Sequence, residues 1–333
     1  MAWPHTTRFT RAAMGGLVAL LAVSCGRTET TPASSSTAAA STAETPTASV
    51  SVVSTSPSTM NASDRADNEA FRREREAKLT SDTGWLTIAG LEFLTKPETT
   101  FGSDASNDVV LPGATPPHVG TFVLAKDGRI SVTLTPGLQV KLLDGRTFTG
   151  GPIKTDGDGP PDRMVLGDVQ VWVHMSGARP AIRIRDKNNP LRKTFTGMKW
   201  YPIDGAYRVE ATYTPFDKPR ALKVPNLLGD IDDMTAPGLV TFTLNGMQQT
   251  MMPVIDDDEL WFIFKDGTSN DTTYPAARFL YTSMPKDGKV VIDFNRAENP
   301  PCAFNPYATC PLPPPENRLQ VRVEAGEKIY ERH

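Results

Sequence analysis

The residues best suited to do chemistry lie near the C-terminus, where eight polar side chains fall between positions 268 and 299. They are Thr268, Thr273, Tyr274, Arg278, Asp293, Asn295, Arg296 and Asn299. Arginine and asparagine side chains recognise carboxylates and amides through paired hydrogen bonds. The set therefore predicts a binding site for a small molecule or a protein partner. Alternatively, these side chains make hydrogen bonds to the backbone of a proline-rich loop, because proline has no N–H group to donate.

An enzyme is the alternative to a binding protein, with Asp293 as the general base of a hydrolase. The sequence contains no Gly-x-Ser-x-Gly motif, which marks the nucleophile of many hydrolases. Ser283-Met-Pro-Lys286 matches the Ser-x-x-Lys pattern, but Pro285 prevents the helical turn that would place the lysine against the serine. Because no nucleophile–base pair is evident, we favour binding over catalysis.

The sequence predicts neither a metal site nor a cofactor. A zinc site needs three or four nitrogen or sulfur ligands, and the whole chain has only four histidines. His174, in the run Val171-Trp-Val-His174, is expected to be an ordinary strand side chain. The acidic segment 156–162 lacks the glycine and glutamate that a calcium-binding EF-hand loop requires, so we interpret it as a solvated loop.

Cys302 and Cys310 are separated by seven residues in a proline-rich stretch. In an oxidising compartment this spacing predicts a structural disulfide, which would stabilise the fold by about 2.5 kcal/mol through loop closure. A redox-active pair, the alternative, favours Cys-x-x-Cys spacing.

The N-terminus predicts export and lipid anchoring. Arg8 and Arg11 precede the apolar run Ala12–Val23, which is too short to span a bilayer and typical of a signal peptide. The run ends in Leu21-Ala-Val-Ser-Cys25, which resembles the bacterial lipobox. The resemblance implies that residues 1–24 are removed and that Cys25 is acylated, anchoring the protein to a membrane of the cell envelope. An ordinary secretory signal with an incidental cysteine is the alternative.

Composition separates residues 25–62 from the rest. This segment is almost wholly Ser, Thr, Ala, Pro and Val, so it lacks the apolar volume for a core and is predicted to be a disordered tether. Without residues 1–24 the chain has 33 basic and 38 acidic side chains and no basic block. That balance argues against nucleic acid as a partner and leaves an unknown small molecule or an envelope protein.

Residues 63–333 are predicted to be a mainly β body with a short N-terminal helix. Ser63-Asp64 is expected to cap a helix running to Leu79, with the charged run 72–76 facing solvent. The Asx-Gly pairs at 127–128, 144–145, 245–246 and 287–288 separate runs rich in β-branched and aromatic residues, so each predicts a hairpin. The architecture is a sandwich or barrel-like body, with one core or two subdomains at about 63–160 and 161–333.

The predicted strand Val290–Phe294 determines which way Asp293 of the polar cluster faces. Side chains alternate along a strand, so Val290, Ile292 and Phe294 should share one face and Asp293 should lie on the other. Arg278 is expected on the neighbouring strand of the same hairpin. Arg278 and Arg296 would then flank Asp293.

Two blocks of the chain are similar to a bacterial family known as domain of unknown function 1684. The first block contains Phe71–Glu76, Gly84–Leu86, Gly90-Leu91 and Phe101–Leu111. The second block contains Asp266–Thr268, Thr273-Tyr274, Arg278–Leu280, Asp293–Arg296, Asn299–Phe304, Ala308–Leu312, Asn317-Arg318 and Ala325–Lys328. Glu298 and Ala277 depart from the family pattern, which has an aromatic residue and a glycine there. The resemblance, over residues 65–330, implies a shared fold and no particular activity.

A shorter stretch resembles the first loops of a forkhead-associated domain. Gly102-Ser103, Asp108–Leu111 and His118 have its spacing, but Ser103 and Pro116-Pro117 replace the charged residues that grip phosphothreonine. The resemblance implies a β-sandwich without phosphopeptide binding.

Overall fold

Two α-helices, eighteen strands and six short 3₁₀ helices make up the regular structure of residues 60–330, the part of the chain that the computed structural model describes. The helices are α1 (Ala62–Thr80) and α2 (Leu191–Thr194). The strands are β1 (Ile88–Phe93), β2 (Glu98–Gly102), β3 (Val109–Val110), β4 (Gly120–Leu124), β5 (Ile130–Leu134), β6 (Val140–Leu142), β7 (Thr147–Phe148), β8 (Gly151–Pro152), β9 (Met164–Leu166), β10 (Val169–Ser176), β11 (Arg179–Asp186), β12 (Arg208–Pro225), β13 (Ile231–Leu244), β14 (Met247–Met251), β15 (Val254–Asp256), β16 (Glu259–Phe264), β17 (Arg278–Ser283) and β18 (Lys289–Asp293). The predicted signal peptide (residues 1–24), Cys25 and the tether up to residue 59 lie outside the described residues.

Residues 88–186 form a β-sandwich. One sheet has the order β1-β11-β10-β9-β6-β7 and the other the order β3-β2-β4-β5-β8. Their facing side chains share one buried core, in which Phe101 and Phe122 from the second sheet meet Val173 and Ile182 from the first. The prediction of a mainly β body is confirmed, and the arrangement is sandwich-like, without closure into a barrel.

The C-terminal half adds two further sheets, with the orders β14-β13-β12-β18 and β15-β16-β17. Their core includes Phe242, Phe262, Ile292 and Phe294. The predicted alternation along β18 is confirmed, because Ile292 is fully buried while Val291 is exposed. The described residues belong to one compact unit, and a division near residue 160 stays a prediction.

The Asx-Gly turns are confirmed with one correction. Asn245 and Gly246 both have positive φ angles and close the β13–β14 hairpin, as a type I′ turn requires. Asp287 and Gly288 also have positive φ angles, but the strands on either side separate: β17 pairs with β16 and β18 pairs with β12. The prediction that Arg278 lies beside Asp293 in one hairpin is therefore wrong.

Helix α1 buries part of the charged run 72–76 that was predicted to face solvent, because Arg75 is buried and Arg72 half-buried while Arg73 and Glu74 are exposed. Its cap is Asn61, whose side-chain oxygen accepts the backbone N–H of Asp64 at 2.8 Å, rather than the predicted Ser63-Asp64. Arg72 donates to the carbonyl oxygen of Tyr201 at 2.9 Å, and Arg75 is 4% exposed. The sequence suggested an exposed face because the residues that contact Arg72 and Arg75 lie more than a hundred positions further along the chain.

No helix within residues 60–330 is long and apolar enough to cross a membrane.

Candidate functional site

Three of the predicted residues, Thr268, Thr273 and Arg278, are held with Asp266 in a closed, buried network. The Nη1 atom of Arg278 donates to Asp266 Oδ2 at 2.8 Å, and neither side chain is exposed. Arg278 also donates to the carbonyl oxygens of Val323 and Ala325. Asp266 Oδ1 accepts the backbone and hydroxyl groups of Thr268, whose hydroxyl lies 2.8 Å from that of Thr273. These contacts join the C-terminal segment to the second pair of sheets.

Asp293 and Asn295 tie helix α1 and the segment before β12 to the end of β18. Asp293 accepts from Asn68 of α1 at 2.8 Å and from the backbone and side chain of Asn295. The side-chain oxygen of Asn295 accepts the backbone N–H of Asp204 at 2.9 Å. Arg208 approaches Asp293 at 3.8 Å, whereas the guanidinium of Arg296 lies over the ring of Phe71. The predicted pair of arginines around Asp293 does not form.

The other two predicted residues lie near the C-terminal segment. Tyr274 donates to the carbonyl oxygen of Cys302 at 3.1 Å, and burial raises its pKa. The side-chain nitrogen of Asn299 donates to the carbonyl oxygen of Lys328 at 2.8 Å, while its buried Oδ1 atom has no hydrogen-bond partner among the described residues. Asn299 lines a narrow surface crevice together with Glu327 and Lys328.

Cys302 and Cys310 are close together but carry free thiols in the structure. The backbone N–H of Cys302 donates to the sulfur of Cys310 at 3.2 Å. Burial raises the pKa of the Cys310 thiol well above its ordinary value. The predicted disulfide stays a prediction.

A second polar region, which the sequence did not single out, covers the outer face of the N-terminal sandwich. Val171 and Val173 of β10 point into the sandwich core, so Gln170, Trp172 and His174 occupy the opposite face. The same alternation on β11 places Ile182 and Ile184 in the core and Arg183 and Arg185 outside it. Pairing of β10 with β11 sets Trp172 opposite Arg183 and Gln170 opposite Arg185.

Three arginines meet on this outer face. Arg163 and Arg185 lie over the ring of Trp172, at 4.8 and 5.4 Å from its centroid, and Arg183 lies 5.5 Å from the ring of Trp85. Arg183 is 6% and Arg185 8% exposed. We call Arg163, Gln170, Arg183 and Arg185 the arginine face. The segments around Thr87 and Thr309 cover it, because Arg185 donates to Thr87 and Arg183 to Thr309.

The arginine face holds more positive charge than its own surroundings compensate. Neither Arg183 nor Arg185 forms an ion pair with a carboxylate of residues 60–330, and Arg183 Nε, Arg185 Nη1 and Gln170 Oε1 have no hydrogen-bond partner there. Burial lowers the pKa of both arginines to about 10. The negative charge of Asp156 opposes this effect at Arg183, whereas the positive charge of Arg163 lowers the pKa of both further.

His174 lies at the edge of the arginine face and joins two segments. Its Nδ1 atom is 2.7 Å from Asp156 Oδ2, and its Nε2 atom is 3.0 Å from the hydroxyl oxygen of Thr309. Asp156 Oδ1 also accepts the backbone N–H of Met175 at 2.8 Å. The prediction that His174 is a strand side chain is confirmed. The prediction that segment 156–162 is only a solvated loop is wrong at Asp156, which the neighbouring strand half-buries.

No group of three or more His, Cys, Asp or Glu side chains within residues 60–330 is arranged to hold a metal ion.

Comparisons with known proteins support the resemblance over part of the chain. Residues 193–328 match a family described as "Protein of unknown function (DUF1684)". This segment contains the predicted C-terminal cluster and Thr309, and excludes the arginine face, His174 and Asp156. No curated protein matches the sequence. Among solved structures, the chain is similar to the solution NMR structure of an uncharacterized protein from gene locus rrnAC0354 of Haloarcula marismortui. The identity is 28%, the match covers 43% of this chain and 81% of that one, and the TM-score is 0.37.

Proposed function

We propose that the protein is an exported lipoprotein of the bacterial cell envelope whose β body binds a small anionic ligand at the arginine face. The observation that carries the binding proposal is the pair of buried arginines, Arg183 and Arg185, whose unpartnered N–H groups lie on one face of one sheet. The lipobox-like sequence ending at Cys25 supports export and anchoring.

Burying a charged side chain without an opposite charge destabilises a fold, so most buried arginines are paired. Arg75 and Arg278 follow this rule, since each contacts a buried carboxylate within 3.1 Å. Arg183 and Arg185 do not, although they are nearly as buried. A bound oxyanion would supply the missing charge and accept the free N–H groups at once.

The ligand is expected to carry a carboxylate or phosphate group. Guanidinium groups bind both through charge-assisted hydrogen bonds in a planar fork. The free side-chain oxygen of Gln170 adds an acceptor next to Arg185, which suits a ligand with a hydroxyl or amide beside its charge. A long polyanion is disfavoured because the chain is acidic overall and has no basic stripe.

We expect phosphate, sulfate or succinate to raise the melting temperature of the full-length protein, compared with chloride at equal ionic strength. A ligand present at one hundred times its Kd stabilises the folded state by about 2.7 kcal/mol. Arg183→Met should abolish this increase. Without anion, the same substitution should leave stability unchanged or raise it by up to about 2 kcal/mol, because it removes an unpaired buried charge.

The matched control is Arg129→Met, which removes an exposed arginine with 84% of its side chain accessible. This variant should keep the full response to anions. A wild-type protein that responds to no oxyanion, or an Arg183→Met variant that responds as strongly as wild type, would contradict the binding proposal.

The anchoring proposal predicts that Cys25→Ser moves the protein from the membrane fraction to the soluble fraction. Acylation needs the cysteine thiol, and stable membrane attachment needs more than one acyl chain. Cell fractionation followed by immunoblotting measures the distribution, with Cys302→Ser as the control that should stay with the membrane. Retention of Cys25→Ser in the membrane fraction would contradict the lipid anchor.

The predicted C-terminal cluster remains a second candidate for ligand binding, because Asn299 presents an unpartnered, buried oxygen at the crevice it lines with Glu327 and Lys328. An Asn299→Asp substitution that changes anion-induced stabilisation, with the arginine face intact, would favour this second site.

A further inference from the structure

We propose that Thr309, His174 and Asp156 form the nucleophile, general base and positioning residue of an ester hydrolase that acts on an anionic ester held at the arginine face. The proposal rests on the proposed binding function, which it deepens from binding to turnover. Its basis is the continuous chain of hydrogen bonds from the Thr309 hydroxyl through the His174 ring to the Asp156 carboxylate.

The chemistry of the three groups fixes the direction of the hydrogen bonds. A carboxylate can only accept, so the 2.7 Å contact with Asp156 assigns the hydrogen to His174 Nδ1. The imidazole Nε2 atom is then left with a lone pair when the ring is neutral. Burial lowers the pKa of His174 below its ordinary value of 6.5, and it outweighs the opposing effect of Asp156. At neutral pH the ring therefore offers a base to the Thr309 hydroxyl, 3.0 Å away.

Asp156 is held in position by its own neighbours. Its Oδ1 atom accepts the backbone N–H of Met175, the residue next to His174 on β10, at 2.8 Å. The hydrogen bond with His174 is the largest of the effects that lower its pKa, against the opposing effect of burial. An ionised carboxylate that orients the histidine and stabilises its protonated form has the third role in a nucleophile–base–carboxylate set.

Arg183 contacts the same hydroxyl from the side of the arginine face. Its Nη2 atom lies 3.4 Å from Thr309 Oγ1, while its Nε–H has no partner among the described residues. The Thr309 oxygen can thus donate its proton to His174 and accept from a guanidinium. A positive charge next to the attacking oxygen stabilises the negative charge that develops there, and the free Nε–H can serve the carbonyl oxygen of a substrate.

The proposed reaction consists of two acyl transfers. Thr309 Oγ1 attacks the ester carbonyl carbon while its proton passes to His174 Nε2. The carbon–oxygen bond of the leaving alcohol then breaks, and that oxygen takes the proton from His174. In the second half a water molecule gives a proton to His174 and attacks the acyl carbon. The bond to Thr309 breaks, and Oγ1 recovers its proton, so that one ester and one water give one acid and one alcohol.

The experiment compares hydrolysis of 4-nitrophenyl acetate with that of 4-nitrophenyl hemisuccinate, which carries a carboxylate, by the full-length protein. We expect the hemisuccinate to be preferred, and Thr309→Val and His174→Gln each to lower its kcat/KM by about 10³-fold or more. Thr309→Ser should retain hydrolysis because it keeps the hydroxyl. Intact-mass analysis after treatment with a fluorophosphonate should show one adduct in the wild type and in Thr309→Ser, and none in Thr309→Val.

His118→Gln and Thr135→Val are the matched controls. His118 contacts Asn107, and Thr135 donates to the backbone of His118, both on the N-terminal sandwich away from the proposed site. Both variants should hydrolyse the hemisuccinate as fast as wild type. Unchanged hydrolysis by Thr309→Val or His174→Gln, or an adduct that persists in Thr309→Val, would overturn the proposal.

The readouts separate the two proposals. Stabilisation of the wild type by oxyanions, together with no hydrolysis of either ester, overturns the hydrolase and leaves anion binding in place. Hydrolysis that depends on Thr309 but shows no preference for the hemisuccinate and no stabilisation by oxyanions supports the nucleophile and contradicts the arginine face. If both hold, Arg183→Met should lose hydrolysis of the hemisuccinate and stabilisation by oxyanions, and fluorophosphonate should label its Thr309 more slowly than in the wild type.

Discussion

Arg278→Met should destabilise the folded protein by about 3–5 kcal/mol, the usual range when one partner of a buried ion pair is removed. The substitution leaves Asp266 charged, fully buried and without its guanidinium. It also removes the donors that reach the carbonyl oxygens of Val323 and Ala325, so the C-terminal segment loses its attachment to β17. Thermal unfolding should show a melting temperature lower by about 10 °C, given roughly 2–4 °C for each kcal/mol in a domain of this size.

Arg322→Met provides the control in the same region. Arg322 pairs with Asp271 and Glu324, but 46% of its side chain is accessible, and surface ion pairs contribute about 0–1 kcal/mol. Asp266→Asn combined with Arg278→Met should recover part of the loss, because the two residues are directly coupled. A melting temperature for Arg278→Met within 2 °C of wild type, on the order of 1 kcal/mol or less, would refute a structural role for this pair.

Local patterns predicted the strands well because alternation and turn chemistry act over a few residues. The β13–β14 hairpin could be read directly from Asn245-Gly246 and the apolar runs on either side. The same kind of turn at Asp287-Gly288 was misleading, since β18 pairs with β12, some eighty residues earlier in the chain. The strand with which β18 pairs is decided by packing between residues far apart in the sequence, and the residues of a turn do not determine that packing.

The candidate sites, like the strand pairing, could be predicted only where their residues are close together in the sequence. The C-terminal cluster was visible because its polar residues are close in sequence, and the structure uses most of them to connect segments of the fold. The arginine face was missed because its members lie on two strands and on the residue before β9. The contact between His174 and Thr309 was missed because the two residues are 135 positions apart. The signal available was the alternation of Arg183 and Arg185 with buried isoleucines on β11. A charged residue at every second position of a strand indicates a polar face that some other element must cover.

Substitution of Arg278 and substitution of Arg183 are therefore expected to change the stability of the folded protein in opposite directions. Arg278 is matched by Asp266, and its removal leaves a buried negative charge. Arg183 has no such partner, and its removal relieves a buried positive charge. The comparison of Arg278→Met with Arg183→Met separates residues that hold the fold from residues that serve a ligand, because functional residues are often tolerated at the expense of stability.

A second large effect is expected from pH, through the buried group formed by Arg75, Glu298 and Glu327. The Nε atom of Arg75 lies 2.9 Å from Glu298 and 3.1 Å from Glu327, and all three side chains are almost fully buried. One positive charge thus faces two carboxylates. Burial raises the pKa of Glu298 to about 7, the negative charge of Glu327 adds to this effect, and Arg75 opposes it.

The direction of the pH effect follows from linkage. The pKa of Glu298 is higher in the folded protein than its ordinary value of 4.5, so the folded state binds this proton more tightly than the unfolded state does. Its contribution to stability is complete below pH 4.5 and is lost as the pH rises through 7. The loss amounts to about 3 kcal/mol when the shift is converted at 1.36 kcal/mol per pKa unit.

Glu298→Gln should remove this dependence. Glutamine keeps an oxygen that accepts from Arg75, and it leaves Arg75 with a single carboxylate, that of Glu327, which also accepts the backbone N–H of Asn299. Denaturant unfolding from pH 5 to pH 8 should show the variant gaining stability over wild type by about 3 kcal/mol across that range. Glu210→Gln, at an exposed carboxylate paired with Lys289, should differ from wild type by no more than about 0.5 kcal/mol at every pH. If the difference between Glu298→Gln and wild type were instead constant with pH, Glu298 would be ionised throughout, and the shared buried charge would not control stability.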